Sequence, residues 1–378
     1  MSMLRDLIGW LPLGLPAFLF VITLVVFFHE LGHFLIARAC GVKVETFSIG
    51  FGPAIFGWTD KQGTRWKVSW ILFGGYVKFF GDLDAASTPD YEQLDDMTTD
   101  ERKYAFPFKP LWQRAAVVAA GPVANFILAI VIFAATFMIF GQEVILPVVD
   151  GVKPNSAAAE AGIRPGDIIR SIDGKQITSF ADLKQIVSLD AGSPLTITLG
   201  RGTQIITVHA TPRLTSMPDG FGGTEKGMAL GIANNFTRGE VTLVRFGPIG
   251  AVTAATRQTW MIASSTLTYL GQMVTGYSDP GQLRGPLGMA KVSRQVAAVS
   301  FIALINLAAL ISVSIGLINL FPIPLLDGGH LLYYAFEAVL GRPLGVRAQD
   351  VGFRLGLAFV LGLMILATWN DIARLNLF

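Results

Sequence analysis

Residues 7–28 carry no charge, and the helix that this run implies continues straight into His29-Glu30-Leu31-Gly32-His33. The run is long enough to cross a bilayer, which needs about 20 apolar residues. Two imidazoles and a carboxylate inside such a span are costly to bury and are functional by default. On a helix, residues four apart share a face, so His29 and His33 can aim ring nitrogens at one metal ion. Glu30 lies one position on, placed to act on water rather than to ligate. The competing reading is a chance match on a soluble helix. The intramembrane context argues against it, as does the placement of two of the chain's four histidines in this motif.

The composition agrees: 52% of residues are hydrophobic and 15% charged, against about 25% charged in an ordinary soluble domain. No basic run interleaved with aromatics marks a nucleic-acid surface, so no nucleic-acid partner is expected. Cys40 is the single cysteine, which excludes an intrachain disulfide. The N-terminal apolar run is too long for a secretory signal, and cleavage after Ala39 would discard the histidine motif.

Four spans are expected. The first covers about 15–39, after breaks at Pro12 and Pro16, and the second lies within 115–142. The third lies in the charge-free run 295–326, with Pro322 and Pro324 ending the helix. The fourth covers about 355–370, extended by Val351 and Phe353, with Arg354 able to snorkel. Arg38, Lys43, Lys109, Arg114, Arg342, Arg347 and Arg354 cluster at three span ends, which places those loops in the cytoplasm. The long segment after the second span and both termini then lie outside, and the first and third spans run in the same direction. Asp327, at the inner end of the third, therefore reaches the depth of the histidines. A catalytic zinc commonly has three protein ligands, and Asp327 is the candidate third. His330 is a rival ligand, and a plain helix cap is the structural alternative for Asp327.

These motifs together carry a resemblance. His29-Glu30-Leu31-Gly32-His33, with Asn319-x-x-Pro322-x-Pro324-x-Leu326-Asp327-Gly328, resembles the site-2 protease family of intramembrane zinc metalloproteases, in its regulator-of-sigma-E-protease (RseP) type. Gly50-Phe51-Gly52, Gly74-Gly75-Tyr76-Val77-Lys78, Gly121-Pro122-x-x-Asn125-Phe126 and Gly285-Pro286-Leu287-Gly288 extend the match along nearly the whole chain. The resemblance implies that His29, His33 and Asp327 bind Zn2+, that Glu30 is the acid/base, and that Asn319 lies near the scissile bond. It also implies a bacterial inner-membrane enzyme of regulated intramembrane proteolysis and envelope stress signalling. Its substrates would be single-span membrane proteins such as anti-sigma factors or remnant signal peptides. Two departures stand out: there is room for one PDZ domain rather than two, and Ser314 stands where that type tends to have Asn.

The expected architecture is a polytopic α-helical membrane protein with about four transmembrane helices, a membrane-associated β-hairpin region and one inserted extracytoplasmic PDZ-like α+β domain. In order, these are the first span with the histidine motif (1–40), a cytoplasmic or re-entrant β region and loop (41–110), and the second span (111–142). The PDZ-like domain (143–235) follows, then amphipathic surface helices (236–294), the third span (295–327), and a loop with the fourth span (328–378). Within the PDZ-like segment, Asp173-Gly174 is a hairpin signal, 180–189 reads as a helix, and 195–199 and 205–209 alternate as strands. Such a domain captures extended peptides at a sheet edge, so a peptide or periplasmic ligand is a possible partner besides the bilayer and the substrate. The acidic stretch 82–101 is read as a solvated loop.

Residues 64–78 alternate as a strand, with Trp66, Val68, Trp70 and Leu72 on one side. A transmembrane substrate helix hides its peptide bonds in its own hydrogen bonds, so an enzyme cutting it must supply backbone partners. Gly74, Gly75, Tyr76 and Val77, with Gly50 and Gly52 nearby, are the candidate substrate-binding strand; a plain cytoplasmic hairpin is the alternative. Two other functional readings stay open at this level: a different membrane zincin, and a non-catalytic membrane PDZ scaffold.

Overall fold

The computed structural model describes residues 2–82, 96–190, 192–218, 224–233, 241–275, 281 and 284–374. The chain divides into two units, one built from Met1–Phe133 with Arg284–Phe378 and the other from Ala134–Leu283. Most of the acidic stretch 82–101 lies outside the described residues.

The first unit is organised by helix α1 (Ser2–Ala39). Its buried face is a row of every fourth residue, Ala17, Val21, Val25, His29, His33 and Ala37, which is the spacing that keeps side chains on one helix face. The upper part packs with Leu304, Ala308 and Ile311 of α6 (Phe301–Asn319). The lower part joins a second cluster that includes Phe34, Val42, Phe47, Val77, Phe79 and Val117. The two histidines therefore sit between two apolar clusters. The helix passes through Pro12 and Pro16 without the expected break. Each proline withdraws only one backbone donor, and long apolar helices tolerate this.

Among the described residues, four helices are long and apolar enough to cross a membrane: Leu13–Ala39, Leu111–Ile139, Phe301–Asn319 and Arg347–Ala373. The second is α2 (Leu111–Ile139); the fourth lies within α8 (Val346–Arg374). The charge-free run read as the third span is divided. Ser300 is extended, with φ −168° and ψ 158°, and separates α5 (Pro286–Val299) from α6. Its hydroxyl accepts from Ala303 N at 3.0 Å and so caps α6. Such a cap leaves no mark on hydropathy, so the split was not legible as a charge boundary. Helix α6 stops at Asn319, ahead of Pro322 and Pro324, and α7 (Asp327–Leu340) begins after the turn. The motif Gly285-Pro286-Leu287-Gly288 opens α5, whose cap residue has no side chain. Asp371 of α8 replaces it, accepting from Gly285 N at 3.1 Å and Gly288 N at 2.9 Å.

Between α1 and α2 lies an antiparallel pair, β1 (Val44–Thr59) and β2 (Arg65–Phe79). Both strands bend, so their halves pair twice. Phe47 faces Val77 and also Trp66, and Trp66 in turn faces Trp58. Residues 75–77 pair only with 47–49 of β1 among the described residues, which leaves their other edge without a strand partner. At the bend, Phe51, Phe56, Trp58, Trp70, Ile71 and Phe73 are exposed. Asp60 in the β1–β2 connection accepts from Gln62 N at 2.9 Å, Thr64 N at 3.0 Å and Trp66 Nε1 at 3.0 Å, and pairs with Arg38 at the end of α1. Burial works to raise the Asp60 carboxyl, but these bonds outweigh it and hold the group at about 2.

The second unit contains a four-stranded antiparallel sheet of β3 (Ile168–Ile172), β4 (Lys175–Gln176), β5 (Leu195–Arg201) and β6 (Gln204–Ala210), in the order β4-β3-β5-β6. Asp173 and Gly174 both take positive φ in the β3–β4 turn, as the dipeptide signal predicts. Helix α3 (Phe180–Leu189) opens with a capping box between Ser179 and Asp182. Leu183 and Val187 of α3 join Ile169, Ile172, Leu195, Ile197 and Leu199 in one core. Helix α4 (Pro248–Thr275) is bound to α3 by Gln185 Nε2 to Ser265 Oγ at 2.9 Å and Gln272 Nε2 to Ser188 O at 3.1 Å.

Candidate metal centre and active site

Positions 29 and 33 of α1 present both imidazoles to one point, with Nε2 atoms 3.2 Å apart. Asp327 enters from α7: its Oδ2 lies 3.2 Å from His29 Nε2 and 3.5 Å from His33 Nε2. Among the described residues these three form a group whose ligand atoms all lie within 4.8 Å of one another. His330 lines the same cavity but is not in the group. Asp327 is the first residue of α7 and not its cap: the cap position is Leu326, where no side-chain cap bond forms among the described residues.

The donor set fits zinc. A tetrahedral zinc with bonds of about 2.0–2.2 Å separates its ligand atoms by roughly 3.3 Å, close to the three spacings here. Val117 O can only accept, so at 2.8 Å from His33 Nδ1 it fixes the proton there and leaves Nε2 with a bare lone pair. Asp327 Oδ2 is buried and accepts no hydrogen bond among the described residues. Bare lone pairs converging in a buried place are costly unless a cation joins them. A cradle completes the set. A methyl at Gly121 would collide with His33 Nε2 and sit 2.9 Å from His29 Cε1, so only glycine leaves room for both rings.

Asp327 is delivered by a tight turn. Gly328 and Gly329 press against the backbone of 320–324, where a Cβ on Gly329 would lie 2.5 Å from Ile323 O. Leu325 takes φ 98°, a conformation that costs a branched residue about 1–3 kcal/mol and is found where a site fixes the backbone. Arg114 of α2 then pins α7 through Glu337, with Nη2–Oε1 at 2.5 Å and Nη1–Oε2 at 3.2 Å.

Around this point lies a cavity of about 230 Å³, walled by Glu30, Gly75, Tyr76, Val77, Asn319 and Tyr334 among others. Strand β2 passes close to the acid: a Cβ on Gly75 would lie 3.3 Å from Glu30 Cγ. Burial pushes the Tyr334 phenol above its ordinary range, so it stays a neutral donor. Of the residues expected to handle substrate, Gly75, Tyr76, Val77 and Asn319 line the cavity. Gly50, Gly52 and Gly74 do not; they take positive φ where the strands bend, and a Cβ on Gly74 would run into the Phe51 ring at 2.5 Å. Ser314 Oγ donates to Leu310 O at 3.2 Å and takes no part in the cavity wall.

Two contributors carried no role when the residues were read in order. Gly121 and Asn125 stood in a motif without an assigned chemistry, and the Arg114–Glu337 pair joins positions 223 apart. Local periodicity cannot show either. The first needed the closeness of α2 to the histidines, and the second needed the return of α7.

Comparison with known proteins places this arrangement. The description "Peptidase family M50" matches residues 17–363. Metalloprotease MmpA of Caulobacter vibrioides is 40% identical over 398 residues, covering 98% of both chains. A candidate zinc metalloprotease of Agrobacterium fabrum is 47% identical over 367 residues, covering 97% of both. Another from Rhizobium meliloti is 47% identical over 372 residues, covering 98% of this chain and 99% of its own.

Proposed function

The chain belongs to peptidase family M50 and is a membrane zinc metalloprotease, and on that premise we propose that it hydrolyses peptide bonds within the transmembrane segments of single-span proteins. The observation that carries this reading is the convergence of His29, His33, Asp327 and Glu30 on one cavity, with the histidines inside the candidate span Leu13–Ala39. In this reading His29, His33 and Asp327 hold the zinc. Bound there, zinc would supply Lewis-acid chemistry, making water more acidic and polarising the scissile carbonyl.

The remaining steps belong to side chains of this protein. Glu30 takes the proton from water and passes it to the leaving amine, so that neither charged species must escape into lipid. The Asn319 amide donates to the oxygen on which charge develops. The outer edge of residues 75–77, beside Glu30, offers backbone partners to an unwound substrate, replacing the hydrogen bonds its helix gives up.

The substrates proposed are anti-sigma factors or remnant signal peptides already shortened on their outer side, in regulated intramembrane proteolysis at a bacterial inner membrane. The cleavage site lies towards the cytoplasmic face, and the second unit, PDZ-like in pattern, lies outside with both termini. That unit screens substrates by size or by a bound peptide. A groove of about 280 Å³ between α3 and residues 228–232, with Lys153 and Lys184 on its walls, suits an extended chain.

The test is cleavage of a single-span substrate by the purified full chain in proteoliposomes, with products identified by mass. A cut inside the span supports the reading. A substrate cut only in its soluble flanks, or not at all by zinc-loaded protein, overturns it.

A further inference from the structure

Residues 117, 121 and 125 fall on one face of α2, four apart, and that face lies against the two histidines. Val117 O accepts from His33 Nδ1 at 2.8 Å. Gly121 leaves space for both rings. Asn125 lies 3.2 Å from His29 Nδ1 through its amide, so each histidine meets one polar group of the same helix face.

The amide nitrogen of Asn125 is drawn towards His29, while Oδ1 is buried with no hydrogen-bond partner among the described residues. That orientation makes His29 Nδ1 an acceptor and forces its proton onto Nε2. Nε2 is the atom 3.2 Å from both His33 Nε2 and Asp327 Oδ2. A proton there would fill the position a metal needs. The two ends of a carboxamide are told apart only by their hydrogen bonds. Turning the amide over removes both difficulties. Oδ1 then accepts from His29 Nδ1–H, the orphaned oxygen is satisfied, and His29 Nε2 is left bare, as His33 Nε2 already is.

We propose that Asn125 is a positioning residue for the metal site: its side-chain oxygen accepts from His29 Nδ1–H, fixing the tautomer and ring plane that present Nε2 to zinc. This rests on the zinc reading given above. Metal-bound histidines characteristically donate their second ring nitrogen to an oxygen acceptor. Here one helix supplies both acceptors, a backbone carbonyl for His33 and a side chain for His29. The residue is held from behind. Asn125 is fully buried, its backbone carbonyl accepts from Ser312 Oγ at 2.9 Å, and a Cβ on Gly316 would lie 3.1 Å from its own Cβ. Helix α6, which also ends at Asn319, thus fixes the acceptor that orients His29.

The test is zinc affinity of the purified full chain, measured by competition with a chelator. Asn125→Leu keeps the volume and removes the acceptor; affinity falls roughly 10–100-fold. Asn125→Asp keeps an acceptor oxygen and cannot donate when ionised; affinity stays near wild type. Wild-type affinity in Asn125→Leu, or equal weakening in Leu and Asp variants, overturns the proposal. His29→Ala is the control for the underlying reading. If it binds zinc as tightly as wild type, the ligand assignment itself fails; if it loses zinc while Asn125→Leu does not, only the positioning role fails. A measurement on wild type decides the matter even if a variant does not fold. Cobalt(II)-loaded protein shows two shifted, slowly exchanging imidazole N–H signals, one per histidine. A single such signal, from His33 alone, overturns the role of Asn125.

Discussion

The Glu337 carboxylate receives both arms of the Arg114 guanidinium, at 2.5 and 3.2 Å, across 223 positions of sequence. This pair joins α2, whose face cradles the histidines, to α7, whose first residue is Asp327. The helix that carries Asp327, the proposed third ligand, is therefore registered against the helix that packs on His29 and His33.

Glu337→Ala leaves a mostly buried guanidinium without its partner, at a cost on the order of 3 kcal/mol. The expected result is a lower unfolding temperature together with reduced zinc retention. Loss of stability with zinc affinity unchanged would show that the pair does not position Asp327.

Asp327→Ala removes one of three donors and should abolish both zinc retention and cleavage. His330→Ala touches the cavity wall but not the donor group, and should leave bound zinc largely intact. Metal analysis of the two variants side by side decides between them; equal loss would make His330 a ligand as well.

Asp60 fastens the β1–β2 connection to Arg38 at the end of α1. Its carboxyl is held at about 2 in the fold, below an unfolded value of about 3.9. A depressed carboxylate stabilises the fold fully above the unfolded value and loses that contribution as pH falls through the folded one. Protection from hydrogen exchange around residues 60–66, taken relative to a free amide at the same pH, should therefore fall between about pH 4 and pH 2. Asp60→Asn should already have low protection at neutral pH and lose no more in that window.

Val77 lies on the outer edge of β2 and on the cavity wall, and its amide faces the Glu30 carboxylate. Val77→Pro removes that donor. Cleavage of strongly helical spans should suffer more than cleavage of spans weakened by glycine or proline. Because the same amide supports Glu30, both classes should lose some rate; equal impairment would mean that this donor serves Glu30 alone and not an unwound substrate.

Much of this was legible in the residues. His29 and His33 could be paired because helical spacing is local. Asp327 could be matched to them because span direction sets depth. The β2 alternation and the Asp173-Gly174 turn were equally plain, since each is a short-range pattern. What escaped depends on contacts between distant helices. Ser300 divides an apolar run with one hydroxyl. Pro12 and Pro16 sit inside a long apolar helix, where each withdraws only one backbone donor. Gly121 and Asn125 acquire meaning only when α2 lies against α1, and the cavity walls admit Gly75 but not Gly50 because the strands bend between them.

In the proposed reaction Glu30 performs the proton transfer beside a zinc held by other residues. Glu30→Gln keeps the shape of the side chain and all three donors while removing the proton acceptor. Zinc content and cleavage of a single-span substrate, measured on the same purified preparation, test this most directly. The expected result is one zinc per chain, as in wild type, with cleavage abolished. Cleavage at the wild-type rate, or loss of the zinc along with activity, would contradict it.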